Sequence, residues 1–150
     1  MHAVARPDFP EDGFFADNGD FDNHAYGQEV YSLTQRGLHA GATPRPVLIN
    51  GGVSDEWPLQ HTPMTVSSEF TGVTDPRAIT LPPFAANYSR SRFVAIIHSV
   101  TNASTMKHAV DVFVKAGWGD LSVVSDYDEA VPSYWEEQVA YIASLNAGGV

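Results

Sequence analysis

The chain has 150 residues, 43% of them hydrophobic and 17% charged, which suits one domain with an ordinary apolar core. Its formal net charge of -10 argues against a nucleic acid or an anionic membrane surface as the partner. The absence of cysteine excludes disulfide bonds and thiolate metal sites. Residues 1–10 are predicted to be a loose segment, without the apolar core of a signal peptide, and no run is long enough to span a membrane.

Five short apolar runs alternate with segments of helical period, which is typical of an α/β fold with a parallel sheet. The predicted strands are Gly13 to Ala16, Val47 to Ile49, Met64 to Ser68, Phe93 to Ile97 and Leu121 to Val124. The fourth run is apolar at every position, which predicts a strand covered on both faces.

Three helices are predicted between and after these strands. Apolar residues recur at helical spacing from Tyr26 to Leu33, and Gly37 can end that helix. A second helix is predicted from a cap at Asn102 or Ser104 to a stop at Gly117. Its apolar face is formed by Met106, Ala109, Val110, Phe113 and Val114.

The third helix is predicted to begin near Pro132, because proline is favoured in a first helical turn. Trp135, Val139 and Ile142 form its predicted apolar stripe. The segments from Gly51 to Leu59 and from Thr74 to Pro83 are predicted to be long loops, where α/β enzymes often hold substrate.

Each of the five apolar runs is followed by a polar residue. These residues are Asp17, Asn50, Glu69, His98 and Asp126. The carboxyl ends of parallel strands gather on one rim, where barrels and open sheets bind ligands. Asp17 and Glu69 can converge there as a carboxylate pair, one donating a proton and the other stabilising or attacking a cationic sugar centre. The alternative is that such residues only cap the following helices.

Other side chains near this predicted rim are suited to sugar binding. Trp57 can stack on a sugar ring or pack against a helix. His98 can contact a sugar, orient a carboxylate or serve a structural hydrogen bond. A calcium loop beginning at Asn18 lacks the leading aspartate and the glycine, and the histidines lack ligand spacing, so no metal or cofactor is expected.

The strand sequences resemble the later part of a known family. The stretches "EDGFFADNGD", "PVLINGG", "TVSSEFTG", "RFVAIIHSV" and "DLSVVSDYDEAVPSYWEEQVAYIASL" are similar to the spherulation-specific family four, the spherulin-like glycosidases, over residues 11–146. The resemblance implies that residues 11–150 are about the last five units of a TIM-type β/α barrel. It also implies hydrolysis of an amino-sugar polysaccharide, such as an α-1,4-linked galactosamine or N-acetylgalactosamine polymer.

Carried over to this sequence, the resemblance makes Asp17 the catalytic aspartate and Glu69 the glutamate that follows the third strand. It departs at Asn18, where the family has a second acid. The "DGFFADN" segment is closer to the related polygalactosaminidases, whose strand ends in Asp-Asn. The predicted substrate-binding residues are Asn18, Asp20, Asn50, Trp57, His98 and Asp126.

Two functions therefore follow from the resemblance: a glycoside hydrolase, or a fragment of one, and a non-catalytic carbohydrate-binding or cell-surface protein with a degenerate site. Family members are commonly exported, so an extracellular or cell-surface location is expected. A closed barrel usually needs about 250 residues. Five strands alone leave two unpaired edges, which predicts self-association, and an open flavodoxin-like sheet is the alternative architecture.

Overall fold

The computed structural model describes residues 14–17, 25, 28, 29, 32, 47–72, 79–126 and 131–147. Within these ranges one parallel sheet is formed by β1 (Phe14–Asp17), β2 (Val47–Asn50), β3 (Thr65–Thr71), β4 (Phe93–His98) and β5 (Asp120–Val123). The α/β class and the five predicted strands are confirmed. The predicted loose segment, residues 1–10, lies outside the described residues.

The strand order is β1-β2-β3-β4-β5, so each strand pairs with its neighbours in the sequence. This order has no reversal, unlike the flavodoxin-like alternative, in which the first two strands exchange places. No pairing between β1 and β5 closes the described sheet. The strands therefore form an open parallel sheet.

The third strand is longer than its apolar run predicts. It extends to Thr71, and its pairing with β4 runs from Val66 opposite Phe93 to Thr71 opposite His98. Glu69 therefore lies inside β3, and the prediction that it follows the strand is wrong. Pairing with the long neighbour β4, rather than hydropathy, sets where β3 ends.

The fifth strand begins and ends one residue earlier than predicted, at Asp120 and Val123. Asp126 consequently lies three residues beyond the strand and does not end it. Of the five polar residues predicted to close the strands, Asp17, Asn50 and His98 occupy the last strand position.

The described helices are α1 (Trp57–His61), α2 (Ala103–Ala116) and α3 (Trp135–Ala147), with 3-10 turns at Pro83–Asn87 and Arg90–Arg92. The loop prediction for residues 51–59 is wrong in part, because α1 begins at Trp57. Pro58 lies in the first turn of α1, where a backbone N–H has no partner within the helix and its absence removes no hydrogen bond. Most of the first predicted helix lies outside the described residues. The positions described there, Ala25, Gln28, Glu29 and Ser32, are helical.

Helix α2 agrees with its prediction at both ends. The side chain of Asn102 caps it by accepting a hydrogen bond of 3.0 Å from the Thr105 backbone N–H. Gly117 ends it with a left-handed φ of 100°. Its buried face consists of Met106, Ala109, Val110 and Phe113.

The apolar stripe predicted for α3 is wrong in part. Trp135 and Val139 are 47% and 50% exposed, whereas Gln138 is buried. The face that packs on the core also carries Tyr141, Ile142 and Leu145. Val131, which is 60% exposed, continues the exposed positions at a spacing of four residues. We call Val131, Trp135 and Val139 the α3 stripe.

The two faces of the sheet differ in burial. In β4, Phe93, Ala95 and Ile97 are buried, while the alternate residues are only half-buried. Helix α2 covers the first face, where the Phe113 ring packs edge-on against Phe70 with centroids 4.8 Å apart. The alternate residues Val94, Ile96 and His98 are thus less buried than the prediction of a strand covered on both faces requires.

Residues on the second face of the sheet are related by strand register and by the two-residue alternation of side chains. We call this the open face; its members include Phe15, Leu48, Asn50, Ser67, Glu69, Thr71, Ile96 and His98. At its β1 end Phe15 is 49% exposed. Farther along this face, Asn50 and Ser67 are buried, so exposure differs along it.

Arg92 joins the start of β4 to the segment before β3. Its Nε donates a hydrogen bond of 2.6 Å to the carbonyl of Met64, and its Nη2 donates one of 2.9 Å to the carbonyl of Thr62. Burial lowers the pKa of Arg92, but a guanidinium still remains charged at ordinary pH. This contact, the Arg92 clamp, ties β3 to β4 at their amino ends.

Two other contacts join neighbouring elements. An ideal Cβ on Gly119 would lie 2.2 Å from the Arg90 carbonyl oxygen, so the backbones meet there too closely for any side chain. Between the helices, the Tyr141 hydroxyl donates a hydrogen bond to Asp111, which is the main cause of the raised pKa of Tyr141.

Among the described helices, none is long and apolar enough to cross a membrane.

Candidate functional site

The carboxyl half of the open face brings Asn50 and Glu69 together. Asn50, the last residue of β2, donates a hydrogen bond of 2.7 Å from Nδ2 to Oε1 of Glu69. The amide belongs to a buried residue, whereas Glu69 is exposed. A carboxylate accepts hydrogen bonds and an amide nitrogen donates them, so this contact fixes where the acidic group stands.

Ser67 adds a second contact beneath this pair. Its hydroxyl is 3.2 Å from Oδ1 of Asn50 and 3.3 Å from the Ile49 carbonyl oxygen. The register pairs Ser67 with Asn50 across β2 and β3. The sequence analysis does not select Ser67, because it expects Glu69 after the strand. With Glu69 inside the strand, the two-residue spacing places Ser67 on the same face of the sheet.

The other predicted catalytic residue, Asp17, is described only in its backbone. Asp17 is the last residue of β1 and the register partner of Asn50. Its side chain lies outside the described part of the structure, as do Asn18 and Asp20. The predicted carboxylate pair of Asp17 and Glu69 therefore stays a prediction.

His98 ends β4 on the same face and pairs in register with Thr71. Its Nε2 lies 3.2 Å from the Thr71 hydroxyl, and its Nδ1 lies 3.1 Å from the Ser99 hydroxyl. Ser99 has a left-handed φ of 64°, which turns the chain immediately after the strand. These contacts agree with the structural hydrogen-bonding interpretation of His98, and its sugar contact stays a prediction.

Trp57 and Asp126 are less directly connected to Glu69. Trp57 lies on α1, where its ring stacks on His61 with centroids 4.8 Å apart. Asp126 is exposed in the segment after β5, a strand separated from β3 by β4. Their predicted roles in substrate binding stay predictions.

The comparisons with known proteins identify a similar fold. The crystal structure of Sph3 from Aspergillus clavatus in complex with GalNAc matches this chain with a TM-score of 0.63 and 21% sequence identity. The match covers 88% of this chain and 56% of that chain, so this chain spans little more than half the length of Sph3. No family model and no curated protein matches the sequence.

The likeness to Sph3 shows a related α/β fold, in agreement with the parallel sheet. Within the ranges that the structure describes, the hydrogen-bonded group of Ser67, Asn50 and Glu69 stands at the sheet end where parallel α/β folds bind ligands. A cavity of about 420 Å³ between α2, α3 and the start of β5 lies elsewhere; Trp118, Asp120 and Leu145 are among its lining residues. The candidate site is therefore the Ser67–Asn50–Glu69 group.

Proposed function

We propose that this chain contributes the amino-sugar site of a glycoside hydrolase related to the spherulin-like glycosidases, as part of a β/α barrel. The observation that carries the proposal is the hydrogen bond of 2.7 Å from Asn50 to Glu69 on the open face. The similar fold of Sph3, which was crystallised with GalNAc, supports an N-acetylgalactosamine polymer as the ligand class. Such a polymer suits an extracellular or cell-surface location.

The chemistry proposed for the site uses two carboxylates. Glu69 acts as the acid and base, and Asp17 stabilises or attacks the anomeric carbon. Adjacent strands are about 4.8 Å apart, so β1 and β3 are separated by about 10 Å. Glu69 accepts a hydrogen bond from Asn50, which is the register partner of Asp17. The proposed chemistry requires the two carboxyl groups to approach to the separations that glycosidases use.

A non-catalytic carbohydrate-binding protein is the second candidate. The observation that favours it is the exposure of the Glu69 side chain. A general acid works best where water is excluded and its environment is fixed, whereas hydrogen bonding to sugar hydroxyls tolerates solvent. Asn18, in place of the family's second acid, points the same way.

The test compares the full chain with its Glu69→Gln variant, using binding and hydrolysis of an N-acetylgalactosamine oligosaccharide. Glutamine keeps the size and an acceptor oxygen but cannot exchange a proton. For a hydrolase, Glu69→Gln should lower turnover by about 100-fold or more while sugar binding survives. Glu137→Gln is the matched control, because Glu137 is exposed on α3 and loses the same charge.

Binding without hydrolysis in the unchanged chain, weakened by Glu69→Gln but not by Glu137→Gln, would select the carbohydrate-binding candidate. Failure of the unchanged chain to bind the oligosaccharide would overturn both candidates. Binding that is equal in all three proteins would place the sugar site away from Glu69.

A further inference from the structure

The backbone turn after β4 is made by a residue poorly suited to it. Among the described residues, Ser99 alone combines a Cβ with a left-handed backbone, at a φ of 64°. This conformation brings the Cβ of an L residue against the backbone, a strain that glycine avoids. The turn directly after β3 has a φ of 60°, and there the residue is Gly72. Glycine can therefore make such a turn, so the side chain of Ser99 needs a reason of its own.

The side chain of Ser99 contacts the imidazole ring of His98. Its hydroxyl oxygen lies 3.1 Å from Nδ1, and the Thr71 hydroxyl oxygen lies 3.2 Å from Nε2 on the other side of the ring. A hydroxyl can donate or accept, so these contacts suit either tautomer of the histidine. What the two hydroxyls fix is the plane and position of the ring.

This Thr71–His98–Ser99 group lies beside Glu69 at the carboxyl end of the open face. Thr71 is two residues beyond Glu69, or about 6.6 Å along β3, and is the register partner of His98. Thr71 and Ser99 are exposed, and His98 is half-buried, so a ligand at Glu69 can reach them. The group offers neutral donors and acceptors, which suit the hydroxyl and acetamido groups of a sugar.

We propose that Ser99 is a positioning residue of the sugar site: its strained turn holds the hydroxyl against Nδ1 of His98, which presents the ring to a sugar unit beside the one at Glu69. The inference rests on the proposed function, an amino-sugar site on this face. His98 touches the sugar, and Ser99 acts through His98. Backbone strain that the fold itself does not need is typical of such sites.

The first measurement is thermal unfolding of the full chain and needs no sugar. Ser99→Gly relieves the strain and Ser99→Ala keeps it, while both lose the hydroxyl. Ser99→Gly should melt at least as high as the unchanged chain and about 2 to 4 °C above Ser99→Ala. Gly72→Ala is the matched control for strain: its Cβ would have no neighbour within 4 Å, so its Tm should fall by about 2 to 4 °C through strain alone.

The second measurement follows the ring nitrogens of His98 in nitrogen-correlated NMR spectra, where His98→Ala identifies their signals. Both Ser99 variants should shift the Nδ1 signal. Ser104→Ala, which removes an exposed serine hydroxyl on α2, is the control and should leave it unchanged.

The third measurement is binding of an N-acetylgalactosamine oligosaccharide by calorimetry. Ser99→Gly and Ser99→Ala should weaken binding by about 3- to 10-fold, the worth of about one hydrogen bond, although one of them is as stable as the unchanged chain. In the His98→Ala background, Ser99→Gly should cause no further loss, because a residue that acts through His98 has nothing left to position.

Several results would overturn the inference. A Ser99→Gly variant that melts below the unchanged chain would show that the hydroxyl serves stability, and a Gly72→Ala variant with an unchanged Tm would remove the strain argument. An unshifted Nδ1 signal or undiminished sugar binding in Ser99→Gly would also refute it, and an additive loss with His98→Ala would mean that Ser99 contacts the sugar itself. Failure of the proposed function is distinguishable, because the unchanged chain would then bind no oligosaccharide.

Discussion

Replacing Arg92 with methionine should destabilise the fold by about 2 to 3 kcal/mol. Hydrogen bonds to charged groups contribute about 1.5 to 3 kcal/mol each. Arg92 is only half-buried, so we discount its bonds of 2.6 and 2.9 Å to about 1 kcal/mol or slightly more apiece. Both carbonyls belong to buried residues, Thr62 and Met64, which lose a donor in the variant. Methionine retains the unbranched apolar stem, so the packing change is small.

The assay is urea unfolding followed by circular dichroism, with a thermal melt alongside. For a chain of this size each kcal/mol shifts Tm by about 2 to 4 °C, so Arg92→Met should lower Tm by about 5 to 10 °C. The loss should be the same at pH 6 and pH 9, because the pKa of Arg92, although lowered by burial, keeps the group charged throughout.

Arg90→Met is the matched control, since Arg90 occupies the same 3-10 turn and its side chain is exposed. It removes the same charge and should change stability by less than about 0.5 kcal/mol. Equal losses in the two variants would refute the reasoning. The pairing of β3 with β4 would then be held by sheet hydrogen bonds alone.

Further variants test other contacts, each against the unchanged chain. Gly119→Ala should lose about 2 kcal/mol or more in urea unfolding, because its Cβ would meet a carbonyl at 2.2 Å; a loss below 0.5 kcal/mol, on the order of a surface change, would contradict this. Asn102→Ala should lose about 1 kcal/mol as a cap deletion, and an unchanged Tm would mean that water replaces the cap. Tyr141→Phe should remove a phenol whose pKa is raised, and so the late step in a titration followed by ultraviolet absorbance. The stability that the Tyr141–Asp111 hydrogen bond gives the folded chain should be complete below the unfolded pKa of tyrosine and should be lost as pH rises through the folded pKa. Trp135→Gln with Val139→Gln should reduce association in light scattering if the α3 stripe drives it, and unchanged particle size would exclude that stripe.

Strand positions were predictable because parallel sheets need short apolar runs, and the cap at Asn102 was predictable because its chemistry is local. The face of α3 was not, since its sequence contains two apolar stripes and tertiary packing selects between them. Trp135 lies on the stripe left exposed, whereas Gln138 is buried despite its polar side chain. Hydropathy alone favours the opposite arrangement.

At the candidate site, the sequence indicated Asn50 and Glu69 separately but not the hydrogen bond between them. That contact depends on the register of β2 with β3, which pairs Asn50 with Ser67 and places Glu69 two residues farther along. The apolar pattern fixes which face of each strand is buried, but a shift of two residues keeps the same faces, so the exact partners follow only from the folded sheet. The group at Ser67 therefore became visible only with the strands aligned.

The strand order also bears on how the protein folds as it is synthesised. Every strand pairs with the strand made just before it, and the Asn50 to Glu69 bond joins residues only 19 positions apart. Contacts between near neighbours in the chain close smaller loops, which lowers the entropy cost of forming them. The candidate site thus needs only β2, β3 and β4, all of which precede α2 and β5 in the chain.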